Sequence, residues 1–160
     1  MKTDLELIND KNWDVRLKVA IRINIEYLPK MMKDKDFDVR LNVATRIGVE
    51  HLPKMMNDKD PHVRCQVAER IDPKHLPKMM NDEDYSVRWE VARRIGSEGG
   101  AFAREHLPKM MNDESYYVRE EVAKRIDPGF LGEMFGFDFD PKYQETLIRV
   151  LSEREDLRRV

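Results

Sequence analysis

The chain has 160 residues, the length of one ordinary domain, and 38% of them are charged, above the roughly 25% of an average soluble protein. Both signs are interspersed and the formal net charge is only −2, which argues against a general polyanion binder and against a disordered acidic chain. No stretch approaches the roughly 18 apolar residues of a membrane span, the first residues lack an apolar signal segment, and the single cysteine, Cys65, excludes an intrachain disulfide and a multi-cysteine metal site. A cytoplasmic protein with no membrane partner is expected.

Residues 1–12 open the chain as a degenerate cap, with Leu5, Leu7 and Ile8 roughly where later copies carry Leu-Pro-Lys-Met-Met. From there a 24-residue unit repeats. Its marker, Val-Arg, stands at Val15-Arg16, Val39-Arg40, Val63-Arg64, Val87-Arg88 and Val118-Arg119, with three steps of 24 residues and a last one of 31. Asn12 or Asp14 can cap the first helix. Val15, Val19, Ala20 and Ile23 then form the inward stripe of an amphipathic helix, and the same stripe returns in every copy. The recurring alanine (Ala20, Ala44, Ala68, Ala92, Ala123) predicts a close helix–helix contact. Gly48, Gly96 and the Asp72-Pro73 and Asp127-Pro128 pairs are expected to stop the helices.

Leu-Pro-Lys-Met-Met follows each of the first three helices and the insertion after the fourth, and predicts a single 3-10 turn, because proline suits the first turn of a helix. A 24-residue period has room for one helix of about ten residues, one short turn and two connectors. Seven extra residues, falling roughly within the eight-residue stretch 97–104 (Ser-Glu-Gly-Gly-Ala-Phe-Ala-Arg), predict a surface loop, either tolerated or part of a binding face. Leu131, Met134 and Phe135 echo the turn once more. Residues 136–160 are expected to cap the array, with a helix over 142–158 that turns Tyr143, Leu147, Val150 and Leu151 inward, and with Phe137 and Phe139 over the core end. The expected organisation is one repeat domain over 1–160, with repeats at 13–135.

Several rows of residues carry the candidate chemistry. Asp10, Asp34, Asp58, Asp82 and Asp113 precede Val by five residues, and Arg16, Arg40, Arg64, Arg88 and Arg119 follow it. Such a row either lines an anion groove or pairs Asp with Arg of the same or the next repeat. A second set, Arg22, Arg46, Arg70, Arg94 and Arg125, is the better candidate for facing a ligand. Lys30, Lys54, Lys78 and Lys109 stand three residues after Tyr27, His51, His75 and His106, so one side of a 3-10 turn could carry a basic stripe. Equivalent histidines roughly 8–10 Å apart cannot share one metal ion. The methionine pairs read as core filling. The outward positions two and six residues after Val vary: Leu17 and Ile21, Leu41 and Thr45, Cys65 and Glu69, Trp89 and Arg93, Glu120 and Lys124. Leu17, Ile21, Leu41 and Trp89 would mark a protein contact if exposed, or core if a cap or loop folds over them. No motif of a nucleophile, a zinc helix or a phosphate loop occurs, so no enzyme is expected.

The Asp-x₄-Val-Arg-x₂-Val-Ala core, the aromatic two residues before Val (Trp13, Phe37, Tyr85, Tyr116) and the Leu-Pro turn resemble the leucine-rich repeat variant. The resemblance covers about residues 4–135. It implies an all-α, right-handed solenoid of about five repeats, each an α-helix plus a 3-10 turn. HEAT repeats share the Asp and Val-Arg signature, but their longer two-helix unit does not fit the period. Some relatives carry a cysteine-rich iron–sulfur segment before the repeats. Nothing in this sequence matches it, and no cofactor is expected. The functional expectation is a non-catalytic scaffold that binds an unidentified protein through Leu17, Ile21, Leu41, Trp89 and Arg93, as a monomer or with weak self-association. The alternative is weak binding of nucleic acid or another polyanion through Lys30, Lys54, Lys78, Lys109, Arg46, Arg70 and Arg94.

Overall fold

A computed structural model describes residues 3–130 and 148–154. It contains α-helices and 3-10 helices and, among the described residues, no strand. This is the all-α repeat architecture the period predicts. The chain divides into two compact units, 1–75 and 76–160.

The first unit begins with α1 (Asp4–Leu7), one turn closed by a reciprocal cap between Thr3 and Glu6. Next come α2 (Trp13–Arg22), η1 (Ile25–Met31), α3 (Phe37–Arg46), η2 (Val49–Lys54) and α4 (Pro61–Arg70). Asn12, Asp36 and Asp60 start the three long helices. Each side chain accepts the N–H of the residue two further on, at 2.9–3.0 Å, which satisfies a donor that has no partner inside the helix. Val19, Val43 and Val67, the alanines beside them, and Leu28, Leu52, Ile47 and Ile71 are fully buried. Full burial of such a side chain contributes about 1.5–3 kcal/mol. α3 packs against α2 on one side and α4 on the other, with Ala20, Ala44 and Ala68 all at 0% exposure.

Two expectations fail in this unit. Glycine does not stop the helices. Each ends where an isoleucine turns to extended backbone, with ψ 151–153° at Ile23, Ile47 and Ile71. Gly48 then has φ −59°, open to any residue, and begins the next 3-10 helix. That helix is also longer than one turn. η1 and η2 start three residues before Leu-Pro and take in Tyr27 and His51. Each carries one proline inside, Pro29 or Pro53, which has no N–H to give an α-type bond.

η3 (Pro73–Lys78) is followed by α5 (Tyr85–Glu98), α6 (Gly100–His106), η4 (Leu107–Met110), α7 (Tyr116–Ala123) and η5 (Pro128–Phe130). The insertion is helical rather than a loop. α5 runs straight through Gly96 to 14 residues, and α6 occupies the rest. At their junction Gly99 (φ 65°) and Gly100 (φ 55°), the first residue of α6, adopt positive φ, a turn that glycine makes without steric cost. Phe102 meets His106 edge-on at 4.6 Å and His106 is buried. Gly96 packs directly against the side chain of Arg125, so it serves close approach and not helix termination. Residues 148–153 are helical and Val150 is 2% exposed. The remainder of the expected C-terminal cap, including Leu131, Met134, Phe135, Phe137, Phe139, Tyr143 and Leu147, lies outside the described residues.

Candidate functional site

The first arginine row is structural. Arg16 is 3% exposed. Its Nε and Nη2 donate to the Asp34 carboxylate of the next repeat at 2.7 and 2.8 Å, and its Nη1 donates to the Asp10 and Lys11 carbonyls. Arg40 repeats this with Asp58 (2.7 and 2.9 Å) and the carbonyls of Asp34 and Lys35. Arg64 donates to the Asp58 carbonyl at 2.8 Å. Asp34 and Asp58 therefore each receive the preceding arginine at the carboxylate and their own arginine at the carbonyl. In the second unit Arg88 binds Asp113 the same way. The sequence left open which repeat the partner comes from; Asp34, Asp58 and Asp113 each take the arginine of the preceding repeat.

Burial pushes the Asp34 carboxyl up, but the Arg16 guanidinium and the Asp36 N–H more than offset that and hold it below the usual carboxylate range. The unfolded carboxyl, at about 3.9, takes its proton first. The ion pair's contribution is full above that value and is lost as pH falls through the lower folded value. Asp34→Asn is therefore expected to abolish part of the acid-side loss of stability, measured as the pH dependence of urea midpoints between about pH 5 and 2.

The second arginine row caps helix ends. The carbonyls of the last turn of an α-helix have no partner within it. Arg46 donates to the carbonyls of Ala20 and Ile23 (2.9 Å to the latter), and Arg70 donates to those of Ala44 and Ile47 (again 2.9 Å). These bonds account for the row's periodicity without a ligand. Arg22 instead pairs with Asp4 of α1 at 2.6 Å. Arg125, two residues past the end of α7, pairs with Glu121 of that helix. Because α5 continues past Ile95, its N–H groups already occupy the carbonyls that such an arginine would reach. Arg154 takes the capping place at the end of α7, donating to Ala123 and Ile126 carbonyls at 3.0 and 2.7 Å. Its distance from any repeat marker hid it from the sequence pattern.

The basic stripe is uneven. Lys30 lies 5.5 Å from the centre of the Tyr27 ring, and Lys109 Nζ is 3.4 Å from His106 Nδ1. Burial removes His106 from the surface. Lys54, Lys78 and Lys109 are exposed, and Lys109 also faces Glu105. Three methionine pairs divide: Met31, Met55 and Met110 are buried, while Met32, Met56 and Met111 are half-exposed; in the fourth, Met79 and Met80 are both buried.

On the variable helix face of the first unit, Ile21 is 53% exposed and Leu17, Leu41 and Cys65 are half-buried. Thr45 and Glu69 take the position of Ile21 in the next two repeats and are exposed. In the second unit Trp89 is half-buried, and Arg93 holds the buried Glu90 carboxylate at 2.8 and 2.5 Å.

A different set of side chains surrounds the connectors of the first unit. A pocket of about 510 Å³ is rimmed by Lys33, Lys35, Lys54 and Lys59. A second of about 400 Å³ is rimmed by Lys11, Lys30, Lys33 and Lys35. The two share Lys33, Asp34 and Lys35, so they adjoin. The sequence signal was available: the residue after the connector aspartate is Lys11, Lys35, Lys59, then Glu83 and Glu114.

The chain is similar to a solved structure of a leucine-rich repeat variant with a novel repetitive structural motif, with 30% identity, 91% of this chain and 69% of that chain covered, and a TM-score of 0.58. The chain belongs to the leucine-rich repeat variant family. An engineered protein of known crystal structure shares the fold alone, at 15% identity over 93% of this chain and 94% of that one, with a TM-score of 0.51. No family model and no curated protein matches the chain.

Within this leucine-rich repeat variant the apolar residues, aspartates and arginines that recur in register serve mainly packing, stapling and capping, whereas the recurring turn lysines are exposed. The positions that change between copies are those whose identity the fold does not require. Two sets meet that description: the outer helix face and the connector lysines.

Proposed function

We propose that this leucine-rich repeat variant is a non-catalytic scaffold that binds another protein through the variable face of its helices. In the first unit the contact residues are Leu17, Ile21 and Leu41; in the second they are Trp89 and Arg93. The observation that carries the reading is Ile21. It is more than half exposed on a helix that buries Val19 and Ala20 on its other side, and polar residues suffice at the same position in the following repeats. An apolar side chain there stabilises nothing inside the fold, whereas desolvating it against a partner is favourable. The half-burial of Leu17, Leu41 and Trp89 leaves each with both a packed and an open side.

Affinity capture with the intact chain tests this. Ile21→Asp and Leu41→Asp are expected to keep the helical circular dichroism, and Ile21→Asp to stay within about 0.5 kcal/mol of the parent stability, as surface changes do. Both should lose a partner that the parent retains after nuclease treatment. Unfolding of Ile21→Asp would instead place that residue in the core, and a partner lost with nuclease would shift the contact to the basic rows.

A further inference from the structure

We infer that the connector edge of residues 8–59 is a second binding surface, a groove for an extended acidic segment of a protein. It lies apart from the variable helix face and does not depend on it. The two adjoining pockets are lined by six lysines and two arginines against three aspartates. Arg16 and Arg40 neutralise Asp34 and Asp58 through two-point ion pairs, so the lysines are not needed to balance those carboxylates. Lys11, Lys30, Lys33, Lys35, Lys54 and Lys59 make no ion pair among the described residues. Lys18, Lys74, Lys109 and Lys124, elsewhere in the chain, each do. With Asp10 the one lining carboxylate that no arginine holds among the described residues, the six ammonium groups around the adjoining pockets leave an excess of positive charge; like charges repel, and an anion that enters relieves the repulsion.

The shape and chemistry favour a peptide over a nucleic acid. Grooves for single-stranded nucleic acid stack bases on aromatic rings, and no aromatic side chain lines either pocket. The sequence of 1–75 holds fifteen Lys and Arg against thirteen Asp and Glu, far from the strong excess of a phosphate-binding domain. Buried Met31 and Met55 and half-exposed Met32 supply an apolar floor, which accommodates apolar side chains between the acids. Stacked repeats lie about 8–10 Å apart and an extended chain rises about 3.3 Å per residue, so an acid at about every third position meets equivalent lysines. The glutamates at the corresponding connector positions of the second unit, Glu83 and Glu114, lack this charge.

The test is fluorescence anisotropy of the full chain with a short labelled peptide carrying glutamate at every third position, at low ionic strength. Lys35→Glu with Lys59→Glu is expected to weaken binding at least about tenfold, and added salt to weaken binding to the parent chain. Lys35→Gln with Lys59→Gln removes the charges without adding acids and should give a smaller loss, with unchanged circular dichroism. Lys78→Glu with Lys109→Glu, outside the groove, and Ile21→Asp, on the helix face, should leave the peptide affinity unchanged. No binding of the peptide at low salt, or equal binding by the Lys35 and Lys59 variants, overturns the proposal. So does binding of a single-stranded RNA oligonucleotide, lost in those variants, where the peptide does not bind.

Discussion

Arg40→Ala is expected to cost about 3–5 kcal/mol in urea unfolding. The arginine is 3% exposed and makes four hydrogen bonds, two to the Asp58 carboxylate and two to the carbonyls of Asp34 and Lys35. Truncation leaves Asp58, itself with a side chain only 8% exposed, as an uncompensated charge. It also strips two carbonyls of a donor and disconnects the relay in which Asp34 joins Arg16 to Arg40 and Asp58 joins Arg40 to Arg64. Arg40→Lys should recover only part of the loss, since one ammonium cannot reproduce a planar fork that spans a carboxylate and two carbonyls. Replacing both partners, Arg40→Met with Asp58→Leu, should cost less than Arg40→Ala because no lone charge stays buried. It should not reach zero, because Asp58 also accepts the Asp60 N–H at 2.9 Å. The exposed pair Lys18–Asp14 supplies the contrast: Lys18→Ala should change stability by less than about 0.5 kcal/mol. A loss below 1 kcal/mol for Arg40→Ala would mean that the pair is solvated in solution.

The same row shows what the sequence made legible. The register of Val19, Ala20 and Ile23 and of their counterparts is set by helical periodicity, and packing obeys it. The pairing of an aspartate and an arginine in every copy was visible as a staple because both charges recur together. The direction of the staples was not, since sequence spacing alone does not say whether a side chain reaches the same repeat or the next. Helix ends were misread because glycine at Gly48 and Gly96 looks the same in sequence whether it makes a left-handed cap, starts a 3-10 helix or admits a neighbour. At Gly96 the deciding fact is Arg125, 29 residues away. The second arginine row looked available for a ligand because its partners are backbone carbonyls, which leave no trace in residue identity. The connector lysines were overlooked because a charge that changes sign midway through the array breaks the repeat pattern used to find it.

Leu52→Ala should destabilise the first unit by about 2–5 kcal/mol, although it removes no polar contact. Leu52 is fully buried in η2, between the end of α3 and the connector that leads to α4. A single 3-10 helix offers few side chains to refill the space, so the cavity persists and adds to the lost transfer energy. Val49 opens the same helix at 52% exposure, and Val49→Ala should stay within about 0.5 kcal/mol. The two substitutions therefore separate burial from the intrinsic preference of the turn. Repeat arrays are held by nearest-neighbour interfaces, so the damage should be local. Amide exchange is expected to quicken in α3, η2 and α4 of Leu52→Ala, while α7 in the second unit keeps its protection. A uniform rise in exchange through both units would show that the chain unfolds as one cooperative body and would overturn nearest-neighbour stability for this repeat array.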